Sequence, residues 1–197
     1  EEVKGPEKDK LLIRRLFPDD RQPKARDRQA LYRYDIPTGI YEPVLYGHRS
    51  TALLDISPDG KELLLGLYTK DWQHTPFDET TVLHYTPATG RVDTIFSREI
   101  EIAQAYFIPG TEDILVTGSP NSFKGIGNVL PDGRTGNGYQ HELFRVNMPT
   151  GKVTPLTRDF DPSVEQVQYH AKGKSFYLLT DNGSRQSLFR LDVKTNK

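Results

Sequence analysis

The sequence has no cysteine, one methionine and one tryptophan among its 197 residues. Without cysteine the chain can form neither a disulfide nor a thiolate nucleophile, and it cannot bind zinc through sulfur. It also lacks an excess of either charge: 26 basic and 27 acidic residues give a net charge of −1, which predicts neither nucleic-acid binding nor attraction to an anionic membrane. No hydrophobic run approaches the ~18–20 residues of a membrane span. Function therefore has to be inferred from architecture, and the architecture from what the chain does contain.

Four segments repeat one pattern, a short run rich in β-forming residues that ends in a Thr-Gly or Thr-Asn turn. They are Leu31–Gly39, Val82–Gly90, Leu143–Gly151 and Leu188–Asn196. Glycine and asparagine tolerate the positive φ that a tight hairpin needs, and a second strand follows each of the first three turns. The turn residues are 51, 61 and 45 residues apart, close to the ~40–50 residues of a four-stranded propeller blade plus insertions.

A second repeated unit lies between these hairpins. Leu53–Leu65 contains the turn Ser57-Pro58-Asp59-Gly60, and looser copies occur at Ala105–Val116 and Val167–Leu179. Proline presets φ in such a turn, and glycine permits the left-handed position after it. Each blade then reads as strand a, turn, strand b, loop, strand c, turn and strand d.

The predicted fold class is therefore all-β, a partial β-propeller of four-stranded antiparallel blades. Residues 30–197 form the propeller segment, with a partial blade at about 30–47, complete blades at 48–97 and 98–158, and a partial blade at 159–197. We expect residues 1–29 to be a charged lead-in, within which Leu11–Phe17 is a candidate strand of the first blade. The chain opens at Glu1 without an initiator methionine or a signal sequence, and we expect a periplasmic or secreted protein whose leader has been removed or lies outside the given sequence.

Ser57-Pro58-Asp59-Gly60-Lys61 after an apolar strand, together with the Tyr-Asp-x-x-Thr-Gly hairpin, resembles the TolB-type propeller repeat. That repeat also builds the N-terminal propeller of prolyl oligopeptidase and dipeptidyl-peptidase IV-like serine peptidases. The resemblance covers about residues 30–197. It implies a non-catalytic propeller that restricts access to a hydrolase site and helps to bind peptide substrate. Its partners would be a C-terminal α/β-hydrolase domain of the same parent chain and the peptide. The alternative that the resemblance leaves open is a TolB-like periplasmic interaction scaffold without a catalytic domain.

The residues themselves indicate no catalytic, cofactor or metal site. No serine lies in Gly-x-Ser-x-Gly, the motif of the α/β-hydrolase nucleophile, so we predict that this chain alone is not an enzyme, although its parent would be a serine peptidase. The five histidines show no metal-ligand spacing. Dipeptidyl-peptidase IV relatives use two propeller glutamates to hold the substrate; Glu99 and Glu101 stand in a different sequence setting, and we interpret them as outward-facing charges. We expect no cofactor.

Two long loops between strands b and c, at 70–79 and 119–140, are the candidate binding surface, because long loops in compact domains are often functional. Strands alternate in direction, so both loops should lie on one rim of the propeller. Their aromatic and histidine side chains are the predicted partner-facing or substrate-facing residues, since aromatic residues are favoured in binding hot spots: Trp72, His74, Phe77, Phe123 and Tyr139. Unpaired strands in the partial blades also predict a homodimer joined through the terminal blades.

Overall fold

A computed structural model of the chain describes residues 28–71, 73–130, 138–192 and 195. The described residues form four antiparallel sheets, each wound as a simple meander. Blade 1 contains β1 and β2, blade 2 contains β3 to β6, blade 3 contains β7 to β10, and blade 4 contains β11 to β13. The strands are Tyr32–Tyr34 (β1), Tyr41–Pro43 (β2), Ser50–Ile56 (β3), Leu63–Lys70 (β4), Asp78–Thr86 (β5), Arg91–Ile100 (β6), Ile102–Phe107 (β7), Asp113–Gly118 (β8), Glu142–Asn147 (β9), Val153–Pro155 (β10), Ser163–His170 (β11), Ser175–Asn182 (β12) and Arg185–Asp192 (β13). This arrangement confirms the predicted partial propeller.

The repeated turns have the conformation that their sequences require. Gly39, Gly90 and Gly151 adopt φ of 71°, 70° and 67°, and each amide donates to the carbonyl four residues earlier, at 2.8, 3.0 and 2.8 Å. In blade 1 the Asp35 carboxylate accepts the amide of Thr38 at 2.9 Å. These hydrogen bonds fix the c–d hairpin in each of the first three blades.

In blades 2 and 3 strand b is an inner strand of the sheet, and residues on both of its faces are buried. Leu64, Leu65, Ile114, Leu115 and Val116 are at most 1% exposed. This double burial explains why b strands carry consecutive aliphatic residues rather than an alternating pattern. The cross-strand hydrogen bonds of these strands satisfy the backbone groups that burial removes from water.

Two hydrophobic clusters join the blades. The first lies between blades 2 and 3 and includes Leu64, Val82, Phe107 and Phe144. The second lies between blades 3 and 4 and includes Leu115, Leu143, Phe176 and Leu178. Blade 3 therefore packs against a neighbour on both of its faces.

The face of blade 2 that is turned towards blade 1 is less completely covered. Leu53 pairs with Leu65 across β3 and β4, on the face opposite to Leu64, and Ile56 lies on the same face. Leu53 is 40% and Ile56 48% exposed, whereas Phe107, the counterpart of Ile56 in blade 3, is 7% exposed. The a and b strands that would cover this face in a complete blade 1 are not among the described residues. The candidate strand Leu11–Phe17 also lies outside them.

Candidate functional site

Both long loops lie on one rim of the propeller, which we call the loop rim. It contains the β4–β5 loop (71–77), the β8–β9 loop (119–141) and the link from blade 3 to blade 4 at 156–162. It also contains the end of β6 and its junction with β7, residues 98–101, which we call the 98–101 link. Residue 72 and residues 131–137 of these loops are not described. The opposite rim carries the tight a–b and c–d turns. Because both long loops contact the 98–101 link, their predicted placement on one rim holds.

Arg98 ties the first long loop to the blade. Its guanidinium binds Glu79 through two hydrogen bonds, with Nε at 2.8 Å and Nη2 at 3.2 Å, and Nη2 also reaches Asp71 Oδ2 at 2.9 Å. The same Asp71 oxygen lies 3.1 Å from His74 Nδ1. The amide of Gln73, and then the His74 ring, lower the pKa of Asp71. Asp71 therefore stays a carboxylate that holds both Arg98 and His74.

Glu99 and Glu101 tie the second long loop to the same link. Glu99 Oε2 accepts the amide of Phe123 at 2.9 Å. The carboxylate of Glu101 accepts hydrogen bonds from the hydroxyl of Ser119 and from Asn121 Nδ2. Burial raises the pKa of Glu99. The interpretation of these glutamates as outward-facing charges is therefore wrong: both bind the loop that follows β8.

Positive φ angles at two positions allow the link to contact both loops. Arg98 and Glu101 adopt φ of 57° and 54°, a region in which non-glycine residues carry a strain of about 1–3 kcal/mol. β6 continues to Ile100, so that Thr80 pairs with Glu99 and Glu79 with Ile100. No glycine, asparagine or proline between residues 97 and 101 marks the end of this long strand in the sequence.

The predicted partner-facing residues differ in how exposed they are. Phe123 is 7% exposed and packs edge-on against Phe96 and Phe144, with ring centroids 5.1 Å apart in each pair. It is a core residue that anchors the loop at the short turn 122–125, where Phe123 and Lys124 adopt φ of 54° and 62°, so its assignment as an exposed anchor is corrected. His74 is exposed, Phe77 is half-buried and Tyr139 is 93% exposed. Trp72 lies outside the described residues.

A recess of about 370 Å³ opens on the loop rim between the β8–β9 loop and the link from blade 3 to blade 4. Its lining includes Glu142, which is 3% exposed. Burial, countered by the hydroxyl of Thr157 and reinforced by nearby Asp159, raises the pKa of Glu142 to about 7. Sequence reasoning missed this residue. Its position at the start of a strand, directly after a long loop, was the available signal.

Within the described ranges no three His, Cys, Asp or Glu side chains are grouped closely enough to hold a metal ion. Among those same residues, no helix combines the length and apolar character that a membrane crossing requires.

Comparison with solved structures identifies the class of protein as a β-propeller. TolB from Acinetobacter baumannii superposes with a TM-score of 0.56 at 20% identity, over 84% of this chain and 36% of TolB. The β-propeller domain of the Trilobed protease from Pyrococcus furiosus gives 0.56 at 13% identity, over 83% of this chain and 46% of that one. Tricorn protease gives 0.39 at 10% identity, over 86% and 24%.

The first two of these neighbours are propellers, in agreement with the TolB-type repeats predicted from the turns. The chain spans between a third and a half of the lengths of the first two structures. No protein-family model matches the sequence. No curated protein matches it either.

Proposed function

We propose that this chain is the non-catalytic propeller portion of an exported prolyl oligopeptidase-like or dipeptidyl-peptidase IV-like serine peptidase. In this role the loop rim faces a C-terminal α/β-hydrolase domain of the same parent chain, restricts access to its active site and helps to bind the peptide substrate. The parent is periplasmic or secreted.

The observation that supports this proposal is the asymmetry of the two rims. One rim has tight turns, whereas the other has two long loops that a single four-residue link holds in place. Arg98 positions the first loop through Asp71, and Glu99 positions the second through the amide of Phe123. A preformed surface of this kind lowers the entropy lost when a partner or peptide binds.

A pair of arginines on β6 tests the peptide-binding part of the proposal. Arg98 lies at the loop-rim end of this strand, and Arg91 lies at the opposite end, where it pairs with Asp93 at 2.7 Å. The probe is a dye-labelled nine-residue peptide of alanine, proline and glycine, acetylated and amidated at its ends. We expect Arg98→Ala to weaken its binding at least five-fold in fluorescence anisotropy, and Arg91→Ala to leave it unchanged. Equal effects of the two variants would contradict the assignment of the loop rim.

The catalytic partner is tested on the parent protein. A fluorophosphonate probe, which reacts with activated serine nucleophiles, should label the full-length parent and leave the 197-residue chain unlabelled. Labelling of the chain itself, or a parent that the probe does not label, would refute this part of the proposal.

The second candidate function is a TolB-like interaction scaffold with no catalytic domain. The superposition on TolB, at a TM-score of 0.56 over 84% of the chain, favours it. The parent sequence after Lys197 discriminates the two. A hydrolase domain with Gly-x-Ser-x-Gly supports the peptidase, and further blades followed by a stop codon support the scaffold.

A further inference from the structure

The recess on the loop rim combines a buried acid with apolar walls. Val129 and Leu130, 63% and 44% exposed, line one side with Pro120, and Phe160 lies on the link from blade 3 to blade 4. Glu142 reaches the recess from the first position of β9. An entering side chain would therefore meet apolar atoms along its length before it reached a carboxyl group.

Among the described residues, the hydrogen-bond donors to the Glu142 carboxylate are uncharged. The Thr157 hydroxyl donates to Oε2, and Gln140 Nε2 donates to Oε1 at 3.2 Å. No described lysine, arginine or histidine forms an ion pair with it. Each carboxylate oxygen has two acceptor positions, so both oxygens retain capacity for a further donor. Burying a carboxylate without a cation costs free energy, and pairing with a cationic ligand would reduce that cost.

The charged groups around the recess favour a cation as well. Asp159, Asp161 and Arg158 share the lining with Glu142, so three acidic groups face one basic group. Asp159 acts on Glu142 as a like charge. An entering cation is attracted by all three carboxylates and repelled by one guanidinium.

We propose that this recess is a subsite for a basic side chain, lysine or arginine, of a bound peptide. The ammonium or guanidinium group pairs with Glu142, and the methylene stem packs against Val129, Leu130 and Phe160. Long basic side chains commonly bury their stems on apolar surface in this way. The inference rests on the proposed peptide-binding function and specifies the ligand class of one part of the loop rim.

The direct test compares peptides that carry a basic side chain with peptides that carry a neutral analogue of the same stem, on the 197-residue chain. The central residue of the capped nine-residue peptide is lysine or norleucine in one pair, and arginine or citrulline in the other. At pH 8 we expect the basic member to bind at least ten-fold more tightly, and Glu142→Gln to abolish that preference. Glu112→Gln, an exposed acid on the opposite rim, is the matched control and should retain it.

A proton-linked readout separates this subsite from a merely structural Glu142. Burial raises the pKa of Glu142 to about 7, so a bound cation would ionise the carboxyl and release part of a proton at pH 7. Calorimetry in two buffers of different ionisation enthalpy should detect this release with the wild-type chain and not with Glu142→Gln. For the same reason the affinity for the lysine peptide should rise between pH 6 and pH 8.

Val129→Lys provides a second test in case Glu142→Gln does not fold. Val129 lies on an exposed part of the loop, and a lysine there would occupy the recess and remove the preference for basic peptides. Equal binding of basic and neutral peptides by the wild-type chain, or a preference that survives in either variant, would overturn the subsite alone. Failure to bind any of the peptides would overturn the subsite and the proposed peptide-binding function together.

Discussion

The substitution Phe123→Ala tests whether the second long loop belongs to the cooperative core. Phe123 is 7% exposed and makes two edge-on ring contacts, with Phe96 and Phe144. Phenylalanine-to-alanine substitutions in cores lower the free energy of unfolding by about 3–5 kcal/mol. We expect about 3 kcal/mol here, since the loop can relax partly into the space left by the ring.

Urea unfolding followed by circular dichroism measures this effect. With an m value of about 2 kcal/mol/M, a loss of ~3 kcal/mol lowers the urea midpoint by ~1.5 M. Phe189→Ala is the matched control, because Phe189 is 36% exposed and its described ring contact is with Phe160 alone, at 4.9 Å. That control should lose about 1 kcal/mol.

A third variant examines the backbone at the same position. Phe123 adopts φ of 54°, where glycine is free of the ~1–2 kcal/mol penalty of other residues. Phe123→Gly should therefore be more stable than Phe123→Ala by about 1 kcal/mol. A loss below 1 kcal/mol in Phe123→Ala, or one no larger than in Phe189→Ala, would refute the reasoning, since the loop would then be detachable from the core.

Three further predictions concern a turn, a pH dependence and an edge. Gly60 adopts φ of 72° with open space where a Cβ would lie, so Gly60→Ala should lower the free energy of unfolding by about 1 kcal/mol through backbone strain alone; an unchanged urea midpoint would contradict this. The raised pKa of Glu142, about 7 against 4.5, means that this carboxyl loses its proton first in the unfolded chain, so the contribution of Glu142 to stability should fall by roughly 2–3 kcal/mol as pH rises from 4.5 to 7. Glu142→Gln should remove that slope, and parallel pH profiles for both proteins would count against it. Leu188, 68% exposed on β13, should contribute to the proposed dimer through the terminal blades, so Leu188→Lys should convert a dimer mass in light scattering to a monomer mass; a monomeric wild-type chain would refute the dimer.

The fold could be predicted because the repeats specify it locally. The turn Ser57-Pro58-Asp59-Gly60 closes through its own side chains: Ser57 Oγ accepts the amide of Glu62 at 2.9 Å and donates to Asp59 at 2.7 Å. Such contacts involve residues at most five positions apart, so they can be predicted from the sequence. The strand order follows from the turns, since each short connection makes neighbouring strands antiparallel.

The site was less predictable because its contacts join distant positions. In the sequence Phe123 lies within a long loop, where an exposed side chain is expected. Its burial depends on contacts with Phe96 and Phe144, which lie on β6 and β9. Glu99 meets the Phe123 amide across 24 positions, and Arg98 meets Asp71 across 27. Arg98 and Glu101 turn the link between the loops through their positive φ. Neither residue is a glycine or an asparagine, so the sequence does not indicate this conformation.

The two-sided packing of blade 3 has a consequence for the order in which parts of the molecule unfold. A row of repeats is stabilised by interactions between neighbours, and blade 3 has a packed neighbour on each face. The described part of blade 1, in contrast, is a two-stranded hairpin whose strands are exposed. Amide hydrogen exchange should therefore be slowest in β8 and β9, intermediate in β4 and β12, and fastest in β1 and β2. The chain would then open from its ends inwards, and the Glu142 recess, which begins at β9, would remain on the part of the protein that opens last.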